Sequence, residues 1–246
     1  MSAYQFGAGV LYGRSLVSNV PTPVRFGALQ GVSIDINFTT KELHSSYQFP
    51  IALGRGTGKI AGKADFAQFN AQAFNDLFFG LTNPATGEVK TATAEPQTVT
   101  ANIVTATFNT GVFTTDLGVV LASTGAIFTR VANAPVGNQY SCNESTGVYT
   151  FNNTQNAAAV LINYNYTDAV NGKKIIISNQ LLGNAPQFTG VFTNTFNGKQ
   201  LTLVLNACMS NKLTLATKLE DFTIPSFDFN AFADGANNIG TLSMDE

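Results

Sequence analysis

Val32, Ile34, Ile36 and Phe38 alternate with Ser33, Asp35, Asn37 and Thr39. A period of two marks a half-buried strand with one apolar and one polar face. Lys59 to Ala64 reads as the returning strand, and Thr40 to Gly58 between them reads as a loop. That is far longer than the usual hairpin connection of about 2–5 residues. Its middle, Tyr47-Gln-Phe-Pro-Ile-Ala-Leu53, is apolar, and Gly54, Gly56 and Gly58 follow around Arg55. A long apolar loop of this kind implies docking outside its own domain. A helix is expected over about 66–79. Asp65 is its N-cap and Gln68 completes a capping box. Phe66, Phe69, Ala73, Phe74, Leu77 and Phe78 form its apolar stripe, and Gly80 closes it.

The rest of the chain reads as β structure. Residues 1–31 form an arm or edge strand followed by a loop, broken by Pro21 and Pro23. From a turn cluster at Thr82-Asn-Pro-Ala-Thr-Gly87 to about Asp168, short strands follow one another without a helical pattern. They are Thr98 to Ala106, Gly118 to Ala122, Ile127 to Val131, Gln139 to Cys142, Val148 to Phe151 and Ala158 to Tyr166. Residues 83–168 carry two basic and five acidic side chains, against eleven and ten elsewhere. This texture and charge mark 83–168 as a small β-sandwich inserted into a discontinuous domain of residues 1–82 and 169–246. Strands are then expected at Lys173 to Asn179, Gln187 to Phe196, Leu201 to Leu205, Lys212 to Lys218 and Phe227 to Ala233, with a turn near Asn211. The fold class is mainly β, antiparallel sandwich or barrel-forming, with one short helix.

Few chemistries fit these residues. The net charge is −2 and charged residues make up 11%, so no basic patch invites nucleic acid by phosphate neutralisation. The one histidine, His44, lies in the long loop, and no G-x-S-x-G motif marks a nucleophile. Gly54 to Lys63 fails the phosphate-loop pattern at both ends. Leu53 and Thr57 stand where its first glycine belongs, and Ile60 and Ala64 where its Ser/Thr belongs. No Cys/His cluster has zinc spacing, and no acidic loop suits calcium. The reading is a non-enzyme without cofactor or metal. Cys142 and Cys208 are expected to be reduced, since no export signal is visible. No apolar run reaches the length of a membrane span.

Three ordered stretches resemble the major tail tube proteins of long-tailed, siphovirus-like bacteriophages. They are Ser33-Ile-Asp-Ile-Asn-Phe-Thr-Thr-Lys41, Gly58-Lys-Ile-Ala-Gly-Lys63 with the helix to Gly80, and Gly198-Lys-Gln-Leu-Thr-Leu203 through Leu219–Pro225 to Phe232. The segment Asp116 to Tyr166 resembles an Ig-like module of phage structural proteins. The resemblance implies homohexameric rings stacked into a tube, with neighbouring sheets joined around a lumen that conducts the genome. DNA would pass without specific binding. Tail terminator, tail tip and tape measure proteins would be partners, and the virion tail the location.

On that resemblance Lys41, Glu42, Phe49, Ile51, Leu53, Arg55 and Lys59 are candidates for the contact between rings. Ser33, Asp35 and Asn37 are candidates for a polar lumen. Two other readings stay open. One is a capsid decoration or tail-tip adhesin. The other is a β-sandwich enzyme or carbohydrate-binding module, which the absence of Trp weakens.

Overall fold

The computed structural model describes residues 4–16, 22–68, 70–80, 85–183, 185–217 and 219–245. The chain divides into two compact units, Met1–Pro84 with Ile175–Glu246, and Ala85–Lys174. Both are β units. Among the described residues every pairing between strands is antiparallel except the two-residue β8–β9 pair.

In the first unit the elements are β1 (Val10–Ser15), β2 (Val24–Arg25), β3 (Leu29–His44), β4 (Pro50–Phe66) and the helix α1 (Ala71–Phe74). A second set of strands belongs to the same unit: β12 (Gln187–Phe196), β13 (Lys199–Thr214), β14 (Ser226–Phe232) and β15 (Gly240–Met244). They form one sheet in the order β2-β1-β12-β13-β14-β4-β3, with β15 beside β13. Alternation puts Leu11, Phe66, Phe188, Leu205, Phe227 and Phe229 on one buried face. The rings of Phe188, Phe227 and Phe229 pack with centroids 5.7–5.9 Å apart. Gly62 lies under this cluster. A Cβ there would stand 2.2 Å from the Phe229 ring, so only glycine admits the aromatic at that distance.

The helix covers the same face but is shorter than expected. Phe66 is the last residue of β4, and Asp65 is a strand residue paired with Gly31 and Ser226. The N-cap is Asn70, whose Oδ1 accepts from Gln72 N (3.0 Å) and Ala73 N (3.2 Å). After one α-turn the chain widens into a π-helical segment, Asn75–Phe79, closed by Gly80 at φ +60°. Ala73 and Leu77 are buried, and Phe74 and Phe78 pack half-buried against the core. Of the expected positions, Phe69, Pro21 and the turn residues 82–84 lie outside the described residues.

The second unit is a sandwich. Its strands are β5 (Ala85–Thr98), β6 (Ile103–Thr105), β7 (Phe113–Leu121), β8 (Thr129–Arg130), β9 (Gln139–Asn143), β10 (Val148–Phe151) and β11 (Ala159–Lys174). Sheet β6-β10-β9-β8 faces sheet β5-β11-β7 across a core that includes Val104, Phe113, Val119, Phe128, Phe151, Val160 and Ile162. A carboxylate sits in that core. Asp116, with its side chain 2% exposed, accepts from Tyr140 Oη (2.7 Å) and Tyr149 Oη (3.2 Å) and faces Arg130 Nε at 3.5 Å. A buried charge is tolerable only when paired and hydrogen-bonded, as this one is.

Several elements differ from expectation. The strand expected from Thr98 to Ala106 is only β6, Ile103–Thr105, because Thr98 ends β5 and a turn at Ala101 and Asn102 intervenes. β5 is a full strand that its Thr/Ala texture conceals, because its two faces differ little in polarity. β11 continues past Asp168, with a bulge between Asp168 and Lys173, and ends at Lys174. Residues 175–180 therefore form no strand, and Ile176 and Ile177 are exposed. β13 is one strand through Asn211, where a bulge stands in place of the expected turn.

Candidate functional site

The segment read as a loop, Thr40 to Gly58, is mostly strand. β3 and β4 stay paired from Leu29 opposite Phe66 to His44 opposite Pro50, and only residues 45–49 form the tip. β14 pairs with β4 only from Asp65 to Ile60. Beyond that point the hairpin has no third strand among the described residues and runs on as a two-stranded ribbon. At about 3.3 Å per residue, the eight residues 37–44 extend it by roughly 25 Å.

The two faces of the ribbon follow from the register. Residues directly opposite in an antiparallel pair share a face. The core face begins with Val32 opposite Ala64, Ile34 opposite Gly62 and Ile36 opposite Ile60. It continues outward as Phe38 opposite Gly58, then Thr40 opposite Arg55 and Glu42 opposite Leu53. The apolar side of the domain thus runs out of the core onto an open ribbon. Phe38 lies over the bare Gly58, and the Arg55 guanidinium stacks 4.1 Å from the Phe38 ring centroid. That contact is worth about 0.5–1 kcal/mol at an exposed position. A bulge sets Thr39 against Gly56 and Thr57, with the hydroxyls of Thr39 and Thr57 3.2 Å apart. At the tip Phe49 is 79% exposed, and Leu53 further along is 69% exposed. Ile51 is the extra residue of a second bulge, and Leu43, Tyr47 and Ile51 are exposed too.

Lys41, Glu42, Phe49, Ile51, Leu53 and Arg55 therefore all belong to the ribbon. Lys41 sits opposite Gly54 on the other face from Glu42 and Leu53. Lys59 pairs with Asn37 and belongs to the polar face of the sheet. Ser33, Asp35 and Asn37 are exposed on that polar face, opposite Lys63, Ala61 and Lys59. The same rows continue across β14 and β13 through Asp228 to Lys212, and through Asn230 to Met209. Ser226 extends the row of Asp65, and Lys63 and Asp65 form an ion pair at 3.2 Å. This face therefore carries Lys59, Lys63 and Lys212 against Asp35, Asp65 and Asp228. It is polar with matched charge, and of these six charges only Asp35 lies on β3, so the period of β3 alone does not reveal the other five.

β3 is also an edge. Its sixteen residues pair only with β4, so one side of its backbone is free along its length among the described residues. At the opposite edge, among the described residues, β1 is paired by β2 at Tyr12 and Gly13 alone.

Other chemistry-bearing groups have structural settings. His44 Nε2 lies 3.1 Å from Glu42 Oε2 on the exposed ribbon, with no nucleophile beside it among the described contacts. Cys142 and Cys208 are free, and burial pushes both thiols up to about 12. Neither is suited to act as a thiolate at neutral pH. Among the described residues no cluster of three His, Cys, Asp or Glu could hold a metal ion. No helix among them is long and apolar enough to cross a membrane. Comparison of the sequence with protein-family models and with curated proteins gives no match.

Proposed function

We propose that this chain is a structural subunit of a phage tail tube, assembling as rings that stack around a genome-conducting lumen. One observation carries the reading: the core face of the sheet extends onto an exposed apolar ribbon beside a free sixteen-residue edge. Long unpaired edges are aggregation liabilities unless a neighbour covers them. Edge-to-edge joining of copies into a closed ring removes both free edges, and the ribbon then reaches beyond its own ring. Contacts of that heterologous kind generate an open polymer.

The polar face supports the same reading. With matched lysines and aspartates it neither grips nor repels the DNA backbone strongly, which suits a conduit. No step of this function calls for a catalytic group or a cofactor. The protein would act in the virion tail with its own copies as main partners. The test is negative-stain microscopy of the purified full chain with light scattering. Tubes of uniform width with an axial repeat are expected. A monodisperse monomer or a closed oligomer at all concentrations would reject the tube in favour of a capsid-decoration or tail-tip role.

A further inference from the structure

The ribbon leaves the sheet at one end, and the strand register fixes what lies at the other. Thr214 opposes Ser226, Ser226 opposes Asp65, and Asp65 opposes Gly31. This row is the far end of the sheet from His44 and Pro50. The β13–β14 connection, residues 215–225, starts and finishes there, and Phe66 N donates to Pro225 O at 3.1 Å. The connection is strongly apolar yet uncovered. Leu215 is 60%, Leu219 99% and Phe222 86% exposed. Between the last two stand Glu220 and Asp221.

We infer that this β13–β14 connection is the receptor for the β3–β4 ribbon of the next copy along the tube axis. The inference rests on the tail-tube reading and adds the surface that completes the contact. Three observations support it. The ribbon and the connection occupy opposite ends of one sheet, which is the geometry a head-to-tail contact needs. Each presents exposed aliphatic and aromatic side chains, Phe49, Ile51 and Leu53 on one and Leu215, Leu219 and Phe222 on the other. Their charges are also complementary. The ribbon carries Lys41 and Arg55 against Glu42, whereas the connection carries Glu220 and Asp221 against Lys218. The side chains of Glu220 and Asp221 flank the apolar contact as a rim, where charges set register and encounter rate more than affinity.

The test uses the full chain. Cysteine pairs are introduced as Phe49→Cys or Leu53→Cys combined with Leu219→Cys or Phe222→Cys, and assembled protein is oxidised. At least one pair should give a covalent ladder on a non-reducing gel, absent from every single-cysteine variant. Separately, Glu220→Lys with Asp221→Lys should cut tube yield at least tenfold. Adding Lys41→Glu and Arg55→Glu should restore much of it, a rescue that a folding defect would not show. If wild-type tubes form but no pair ladders and the charge reversal leaves their yield unchanged, the receptor assignment is wrong and the tube reading stands. If the wild-type chain forms no tubes under any condition, both fall together.

Discussion

Phe49→Asp with Leu53→Asp separates a contact residue from a core residue. Fully burying a side chain of this size is worth about 1.5–3 kcal/mol. Phe49 is 79% and Leu53 69% exposed within the subunit, so folding draws on only the covered remainder. That remainder is about 1 kcal/mol for the pair. Covering the exposed part against a neighbour would contribute about 2–4 kcal/mol per subunit, or on the order of 10–25 kcal/mol for a ring of six. The ribbon is already paired as strands, so docking need not order a free loop at about 1–2 kcal/mol per residue. The double substitution removes that gain and adds two carboxylates to be desolvated. It should weaken each ring-to-ring contact by about 30- to 700-fold or more, since 1.4 kcal/mol is tenfold. Circular dichroism melting should move by only a few degrees, while microscopy and sedimentation should show no tubes. Tubes at wild-type yield from the double variant would refute the reasoning. A collapsed melting transition would show that the ribbon belongs to the core instead.

Three further substitutions probe other parts of the molecule. Gly62→Ala should destabilise the first unit by about 1–3 kcal/mol, lowering its melting temperature by several degrees, because the Phe229 ring must move within a packed core. Gly54→Ala is its control, with nothing closer than 4.0 Å, and equal melting of the two would show that the aromatic–glycine packing is not tight. In the second unit, burial pulls the Glu95 carboxyl up, but hydrogen bonds from Tyr164, Gln97 and Thr107 outweigh it and hold it below its usual 4.5. A depressed folded value gives stability that is present above 4.5 and lost as pH falls through the folded value. Glu95→Gln should therefore flatten the acid limb of the melting profile below about pH 4.5 and leave the slope at pH 6–8 unchanged. An unaltered acid limb would remove Glu95 from the acid response. Asp35→Lys shifts the matched polar face by two positive charges per subunit; tubes of this variant should retain duplex DNA at low salt and release it as salt rises. Equal retention by wild-type tubes would argue against a lumen-facing β3.

The parts legible from residues were those with strong contrast between faces. The strand from Val32 to Phe38, β12, β14 and the αL closure at Gly80 all follow from period and turn chemistry. The outward half of the hairpin was hidden because Gly54, Gly56 and Gly58 read as loop residues, whereas the bareness of Gly58 makes room for the Phe38 ring. Arg55 above Phe38 is the trace of that pairing in the sequence, but a cross-strand contact shows only once the register is known. The helix start was misplaced because Asp65 and Gln68 imitate a capping box. Asn70, with its side chain on two amides of the first turn, is the working cap. The polar face was half seen for a related reason: Lys63, Asp228 and Lys212 join Ser33 only through the pairing of four strands far apart in sequence.

The two units handle their sheet edges in opposite ways. In the sandwich the edge strands β6 and β8 are three and two residues long. Its longer edges are broken as well: β5 carries Pro96 and bulges, and β7 bulges at two places against β11. Short strands, proline and bulges are the usual defences against pairing with another chain. β3 has the opposite design. It is sixteen residues long, contains no proline, and offers Lys41 as its only lysine. Sequence that protects one unit from association while leaving the other open is hard to reconcile with a protein meant to stay monomeric. It follows naturally if the first unit is completed by its neighbours. The sandwich, with its own aromatic and aliphatic core and its edges blunted, would then be carried by the assembly without holding it together.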